Sequence, residues 1–411
     1  MEKVMKIRLE LASLSVFRGV MSRSVPAAFY ELLCALDKPP EEFLRAYGNF
    51  FSLLCERGCA DSLARAMTET ALFDDNCFTR AAAEGREKEL GENIINAARH
   101  DCAAILSASK LEAQEVLGAY HDPIRLEGVR YGLPVWSCGE AAEAFEGFDG
   151  SMDAISAYYR KNGCGMFARY RAFVWREGDI RPIENYDAVS LEDFTGYERQ
   201  RKKVLDNTEA FLDGKTCNNC LLYGDMGTGK SSTVKAIGNH FRDRGLRLVE
   251  MPKERLMDFP LLVDKIAKLP MRFIIFIDDL SFQHQDQSFT SLKAVLEGGL
   301  AARPANALIY ATSNRRHIVR EKLSDRSMSV DDVNTRDNMQ ETLSLSDRFG
   351  LAVCFTVPGK KEYLEIVRAM AADKGIKIED SELVGGAERF ALTRGGRSPR
   401  CAKQYVESLF C

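Results

Sequence analysis

At 411 residues the chain has room for two or three domains, and its 45% hydrophobic and 28% charged composition is that of a globular protein, not a fibrous or disordered one. A formal net charge of −4 provides no global attraction to nucleic acid or to an anionic membrane, so a nucleic-acid partner is open but unsupported by charge. No stretch reaches the roughly 18 uncharged apolar residues of a membrane span, and Glu10 breaks the N-terminal apolar stripe with no small-residue cleavage site behind it. The expected compartment is the cytoplasm, with the 12 cysteines reduced and scattered as small hydrophobes.

Residues 1–120 read as a helical N-terminal domain. "VPAAFYELLCALDKP", "PEEFLRAYGNFFSLLCERG" and "DSLARAMTETALFDD" place apolar residues at three- and four-residue spacing, and "EKELGENIINAARHDCAAILSA" adds a further helix. Residues 121–185 read as a mixed connector. Within it "RAFVWREGDIRPIENYD" predicts a hairpin turning at "EGD". The aromatic and basic mixture of "YYRKNGCGMFARYRAFVW" reads as a half-buried element with snorkelling arginines; nucleic-acid contact is the alternative.

From residue 186 strands and helices alternate. The runs "CLLYG", "LRLVEMP", "RFIIFIDDL", "ALIYATSN" and "LAVCFTVP" are short and continuously apolar, as strands buried on both faces of a parallel sheet must be. "KSSTVKAIGNHFRDRG" and "FTSLKAVLEGGLAAR" are the helices between them. The expected fold is α/β over 186–358, a five-stranded parallel sheet with helices on both faces, closed by a helical lid over 359–411. Cys217 and Cys220 form a CxxC without a second pair, so they read as ordinary strand-edge residues. "RQRKK", Arg199 to Lys203, reads as the solvated face of a helix, with phosphate contact as the alternative, and Arg315 and Arg316 stand near the edge where a nucleotide would bind, with contact to a partner subunit open.

The chemistry concentrates in "LLYGDMGTGKSS". Gly224, Gly229, Lys230 and Ser231 match G-x-x-x-x-G-K-[ST] between a strand and a helix. Glycine lets backbone N–H groups approach a phosphate chain, and the helix beginning near Lys230 aims its positive end at the same anion. The loop Gly224, Asp225, Met226, Gly227, Thr228, Gly229 with Lys230, Ser231 and Ser232 is therefore the expected nucleoside triphosphate cradle. Lys230 is assigned to the β- and γ-phosphates and the Ser231 hydroxyl to Mg²⁺. Ile274 to Ile277 deliver Asp278 and Asp279 to the carboxyl end of a buried strand. Asp278 is expected to hold Mg²⁺ and Asp279 to orient or deprotonate the attacking water, with Asn314 of "YATSN" beside the γ-phosphate.

The succession "GDMGTGKSS", "FIIFIDDLSF", "YATSNRRH", "SLSDRFG" and "GGRSPRCAKQ" resembles AAA+ ATPases, and more closely the bacterial family called domain of unknown function 815, over about residues 185–411. The resemblance implies that Asn314 is the first sensor, that Arg348 is an arginine finger acting on a neighbouring subunit of a homo-oligomer, and that Arg400 or Arg397 is the second sensor in the lid. Phe194 and Tyr197 of "FTGYERQ" resemble the segment that packs on adenine; plain core packing is the other reading. Most AAA+ proteins carry Glu where Asp279 stands, which brings in a slowly hydrolysing nucleotide switch or helicase-loader-like adaptor as the alternative to an ATPase working on an unknown client. A P-loop kinase is a weaker third reading, since the sensor and finger motifs have no role there. "REKLSDRSMSVDDVNTRDNMQETL" reads as a long charged insert that contacts a neighbour or client.

Overall fold

The structure, a computed structural model, describes residues 2–280, 292, 296, 304–314 and 348–410. Of the expected helix over 289–303 only residues 292 and 296 are described, and the charged insert over 320–343, Arg315 and Arg316 lie outside the described residues. The chain forms two compact units, Met1–Arg169 and Tyr170–Cys411. Among the described residues no helix is long and apolar enough to cross a membrane.

The first unit is helical, as its periodicity predicts. Helices Ser24–Cys34, Pro40–Glu56, Leu63–Leu72 and Glu92–Ser109 follow the four segments expected from the sequence. Phe43, Tyr47, Phe50 and Leu54 fall on one face of Pro40–Glu56 and are fully buried. Trp136 stands edge-on to Phe29 and Phe50 and donates its indole N–H to Leu111 O at 2.9 Å, so its one polar atom is satisfied inside the core. Asp101 is also fully buried. Its Oδ2 accepts the N–H groups of Ser15 and Phe17, both at 2.9 Å, which pins the turn after the first helix.

The second unit is built on a seven-stranded sheet. Its strands are β1 (Ala172–Arg176), β2 (Asp179–Pro182), β3 (Cys220–Gly224), β4 (Leu246–Glu250), β5 (Arg272–Ile277), β6 (Ala307–Ser313) and β7 (Leu351–Phe355). The order is β2-β1-β4-β5-β6-β3-β7. All pairs are parallel except β1–β2. The five apolar runs thus make the expected parallel sheet, and two strands from the expected connector enlarge it. Glu177 and Gly178 take φ 55° and 75°, the two left-handed positions of a tight hairpin turn, so "EG" does turn the chain there. The hairpin then docks on β4 through Ala172, Phe173 and Val174. The segment 121–185 is therefore not one body: 121–169 packs with the helical unit and 170–185 with the sheet. Apolar residues of β1 gain more by extending a sheet than by standing as an isolated hairpin.

Cys217 and Cys220 are free thiols; Cys220 is buried in β3, where burial pushes its thiol up and leaves it inert. Three helices, Lys360–Asp373, Asp380–Thr393 and Pro399–Ser408, form the lid. They pack around their own core of Tyr363, Val367, Ala387 and Val406.

Candidate functional site

The carboxyl ends of β3, β5 and β6 lie side by side because register aligns them: Tyr223 pairs with Ser313, and Ile277 with Ala311. β6 is buried along its whole length and β5 from Phe273 onward, so hydrophobic burial fixes the height at which each strand releases its polar tip. The loop after β3 turns on Gly224, Gly227 and Gly229 at φ 129°, 75° and 88°. A methyl at Gly224 would come 2.1 Å from Phe355 O, and one at Gly227 3.0 Å from Ser398 Oγ; glycine is required by space as well as by dihedral. Helix Lys230–His240 follows directly.

Lys230 is buried, and its Nζ donates to Gly224 O (3.0 Å), Asp225 O (2.7 Å) and Asn314 Oδ1 (3.1 Å). Burial holds its ammonium below the ordinary lysine range, against the pull of Asp225, Asp278 and Asp279. Ser231 Oγ donates to Asp278 Oδ1 at 2.6 Å. Thr312 Oγ1 donates to that same oxygen and accepts the Asp279 N–H at 2.9 Å. Asp279 holds a left-handed backbone, φ 49°, uncommon for a residue with a side chain. Its Oδ1 accepts from Asn314 Nδ2 at 2.8 Å, and its Oδ2 stands 4.0 Å from Lys253 Nζ. Asn314 therefore bridges Lys230 to Asp279. Glu250, at the tip of β4, has its carboxyl raised by burial and next by the charge of Asp278.

These groups open into a cleft of about 1010 Å³ within the second unit. Loop residues Met226 to Ser232 line it with Asp278, Asp279, Thr312 and Asn314, and so do Phe194, Tyr197 and Arg201. The lid contributes Met370, Lys374, Arg400 and Lys403. Ser398 caps the last lid helix by accepting Cys401 N–H at 3.2 Å, and Pro399 takes its first position, as the sequence predicts. Arg400 N–H then donates to Gly227 O at 3.2 Å, which seats the lid on the phosphate loop. The two second-sensor candidates separate here. Arg400 lines the cleft, whereas Arg397 pairs with Glu388 at 3.3 Å within the lid. Tyr197 lines the cleft but stacks its ring on Phe355 and donates its hydroxyl to Thr356 O at 2.6 Å. Arg348 lies three residues before β7, and the cleft-lining residues do not include it.

A family model described as "Protein of unknown function (DUF815)" matches residues 168–411. The chain belongs to this family. The DUF815 match begins beside the boundary between the two units, so the first unit lies outside it. Among solved structures, a substituted RuvB from Thermotoga maritima is 17% identical with a TM-score of 0.37, covering 53% of this chain. This chain in turn spans only 63% of that RuvB. AMPPCP-bound DnaA from Aquifex aeolicus is 16% identical with a TM-score of 0.38, over 55% of this chain and 67% of that one. No curated protein matches the chain.

Sequence reasoning missed three residues of this candidate site. Thr312 joins Asp278 to the Asp279 backbone; its position two residues before Asn314 on a strand was the available signal. Lys253 follows β4, whose tip carried no motif. Arg201 belongs to the run assigned to a solvated face, yet it is buried.

Proposed function

We propose that this protein binds Mg-ATP in the cleft and hydrolyses it as an AAA+-type ATPase, coupling the nucleotide state to its lid. One observation carries the reading. A buried ammonium, Lys230, is held by three neutral oxygens at the mouth of a glycine loop, one residue from a hydroxyl bonded to a carboxylate. A desolvated cation in the first turn of a helix that a glycine loop leads into is a site prepared for a polyanion. Ser231 and Asp278 are hard oxygen donors of the kind that share a magnesium ion with phosphates, and they are the residues that would hold it. Such an ion neutralises phosphate charge. In this reading Asp279, oriented by Asn314, takes or aligns the proton of the attacking water, Arg400 reports the γ-phosphate to the lid, and Phe194 with Tyr197 flanks the base.

Titration calorimetry and a phosphate-release assay on the full chain test the reading. Lys230→Ala is expected to abolish measurable Mg-ATP binding. Asp279→Asn is expected to keep binding while turnover falls about 10²-fold or more. Lys230→Ala turning over at the wild-type rate overturns the mechanism.

A second reading, a slowly hydrolysing switch holding a partner, is favoured by Asp279 itself. Both its oxygens already face side chains, Asn314 and Lys253, which restrains it as a base. DnaA has been solved with AMPPCP and single-stranded DNA together, so single-stranded DNA is a reasonable effector to include. Robust basal turnover without any effector rejects the switch.

A further inference from the structure

Arg201 sits on helix Glu198–Leu212, whose buried residues are Arg201, Val204, Thr208 and Phe211. That spacing places Arg201 on the apolar stripe of the helix, and it is only 8% exposed. Burying an arginine is costly unless its donors are used. Its Nη2 donates to Phe194 O at 3.3 Å, and its Cζ lies 5.4 Å from the centre of the Phe194 ring. Glu198, a mostly exposed side chain 3.6 Å away, gives weak charge compensation, and burial lowers the guanidinium below its ordinary range.

Phe194 is thus held twice by one side chain, at its carbonyl and at its ring face. The segment around it is otherwise a bend: Ser190 caps a short turn before it, and Gly196 and Tyr197 follow at φ 84° and 60°. The Phe194 ring edge comes 4.0 Å from where a methyl on Gly229 would stand, so the ring borders the last glycine of the phosphate loop. Both Phe194 and Arg201 line the cleft.

We propose that Arg201 is a positioning residue that fixes Phe194 as an aromatic wall of the cleft, against which a nucleobase packs. This deepens the Mg-ATP reading and rests on it. The chemistry explains the residue type. Leucine could fill the volume, but it would leave Phe194 O without a donor and the ring without its cation. Lysine lacks the planar fork that serves carbonyl and ring together. The ligand group recognised at this wall is a planar nucleobase, which packs on an aromatic ring through its π face.

The test compares two ligands on the full chain by calorimetry: Mg-ATP, and magnesium tripolyphosphate, which carries phosphates but no base. Wild type, Arg201→Ala, Arg201→Lys and Phe194→Ala are measured. Arg201→Ala and Phe194→Ala are each expected to weaken Mg-ATP about tenfold, near the upper end of an aromatic contact, and to leave tripolyphosphate affinity unchanged. Arg201→Lys is expected to lie between, and the double alanine variant to be no weaker than either single one, because both act through one wall. Should Arg201→Ala fail to fold, the lysine and Phe194 variants carry the same comparison. Undiminished Mg-ATP affinity in these variants overturns the proposal. An equal loss of tripolyphosphate also overturns it, by showing that Arg201 acts on phosphate. Wild type binding neither ligand removes the nucleotide reading, and this wall with it, a result distinct from the other two.

Discussion

Tyr197 enters helix Glu198–Leu212 at φ 60°, a left-handed conformation that costs a residue with a Cβ roughly 1 kcal/mol or more. The surroundings over-determine it. Its ring stacks on Phe355 with centroids 5.3 Å apart, and its hydroxyl donates to Thr356 O at 2.6 Å. Burial pushes the phenol up to about 12, with the charges of Glu362 and Asp225 adding to the effect. The folded value stands above the ordinary 10.0, so its contribution to stability is whole below about pH 10 and disappears as pH rises through about 12. Tyr197→Phe is expected to lower stability by about 1 kcal/mol at neutral pH, the worth of one hydrogen bond. The gap between the two proteins, read from thermal melts at pH 8 to 12, is expected to close toward the alkaline end. The other buried tyrosines are common to both proteins and cancel in that difference. A gap that stays constant with pH shows that the hydroxyl does not hold this turn.

An acidic residue inside a phosphate loop needs an explanation, and the elements around Asp225 supply one. Its Oδ2 accepts the Val357 N–H at 2.7 Å, and its own N–H donates to Phe355 O at 2.9 Å. The carboxylate is thereby spent on the segment that leads from β7 into the lid. With Arg400 N–H on Gly227 O, the loop is clamped from both ends of the lid's chain. Asp225→Ala is expected to speed amide hydrogen exchange over residues 356–359, and Asp225→Asn, which keeps an acceptor, to restore most of the protection. Equal exchange in all three proteins disproves the clamp. The clamp also marks where sequence legibility ends. Strands β3 to β7 and the glycine loop could be read because continuous apolar runs and glycine spacing are local signals. The turn at Glu177 and Gly178 was equally local. The pairing of β1 with β4 was not, since nothing in "RAFVW" names a partner far along the chain. Arg201 was misread for a related reason. Its neighbours Arg199, Lys202 and Lys203 suggested a solvated run, while the three- and four-residue spacing to Val204, Thr208 and Phe211 pointed inward.

At the scale of the molecule, strand direction separates the two ends of β7. Gly224 pairs with Phe355, so the carboxyl end of β7 abuts the phosphate loop, while Leu351 pairs with Cys220 roughly 13 Å back along the strand. Arg348 precedes Leu351, at the amino end of β7 rather than the end that abuts the phosphate loop, and Leu351 N–H is tied to Asn219 O. Arg348 is not among the residues that line the cleft of its own chain. If it serves the transition state, it does so in another copy, and the homo-oligomer implied by the family resemblance becomes a kinetic requirement. Arg348→Ala is then expected to bind Mg-ATP normally and to lose about 10³-fold in turnover. Asp279→Asn has the converse defect, a dead site beside an intact finger. Mixed in equal amounts, the two inactive variants are expected to recover activity that neither shows alone, because each Arg348→Ala site can meet a finger from an Asp279→Asn neighbour. Wild-type specific activity is expected to rise with protein concentration over the same range in which sedimentation shows assembly. A mixture that stays inactive while assembling normally would show that Arg348 does not act between copies.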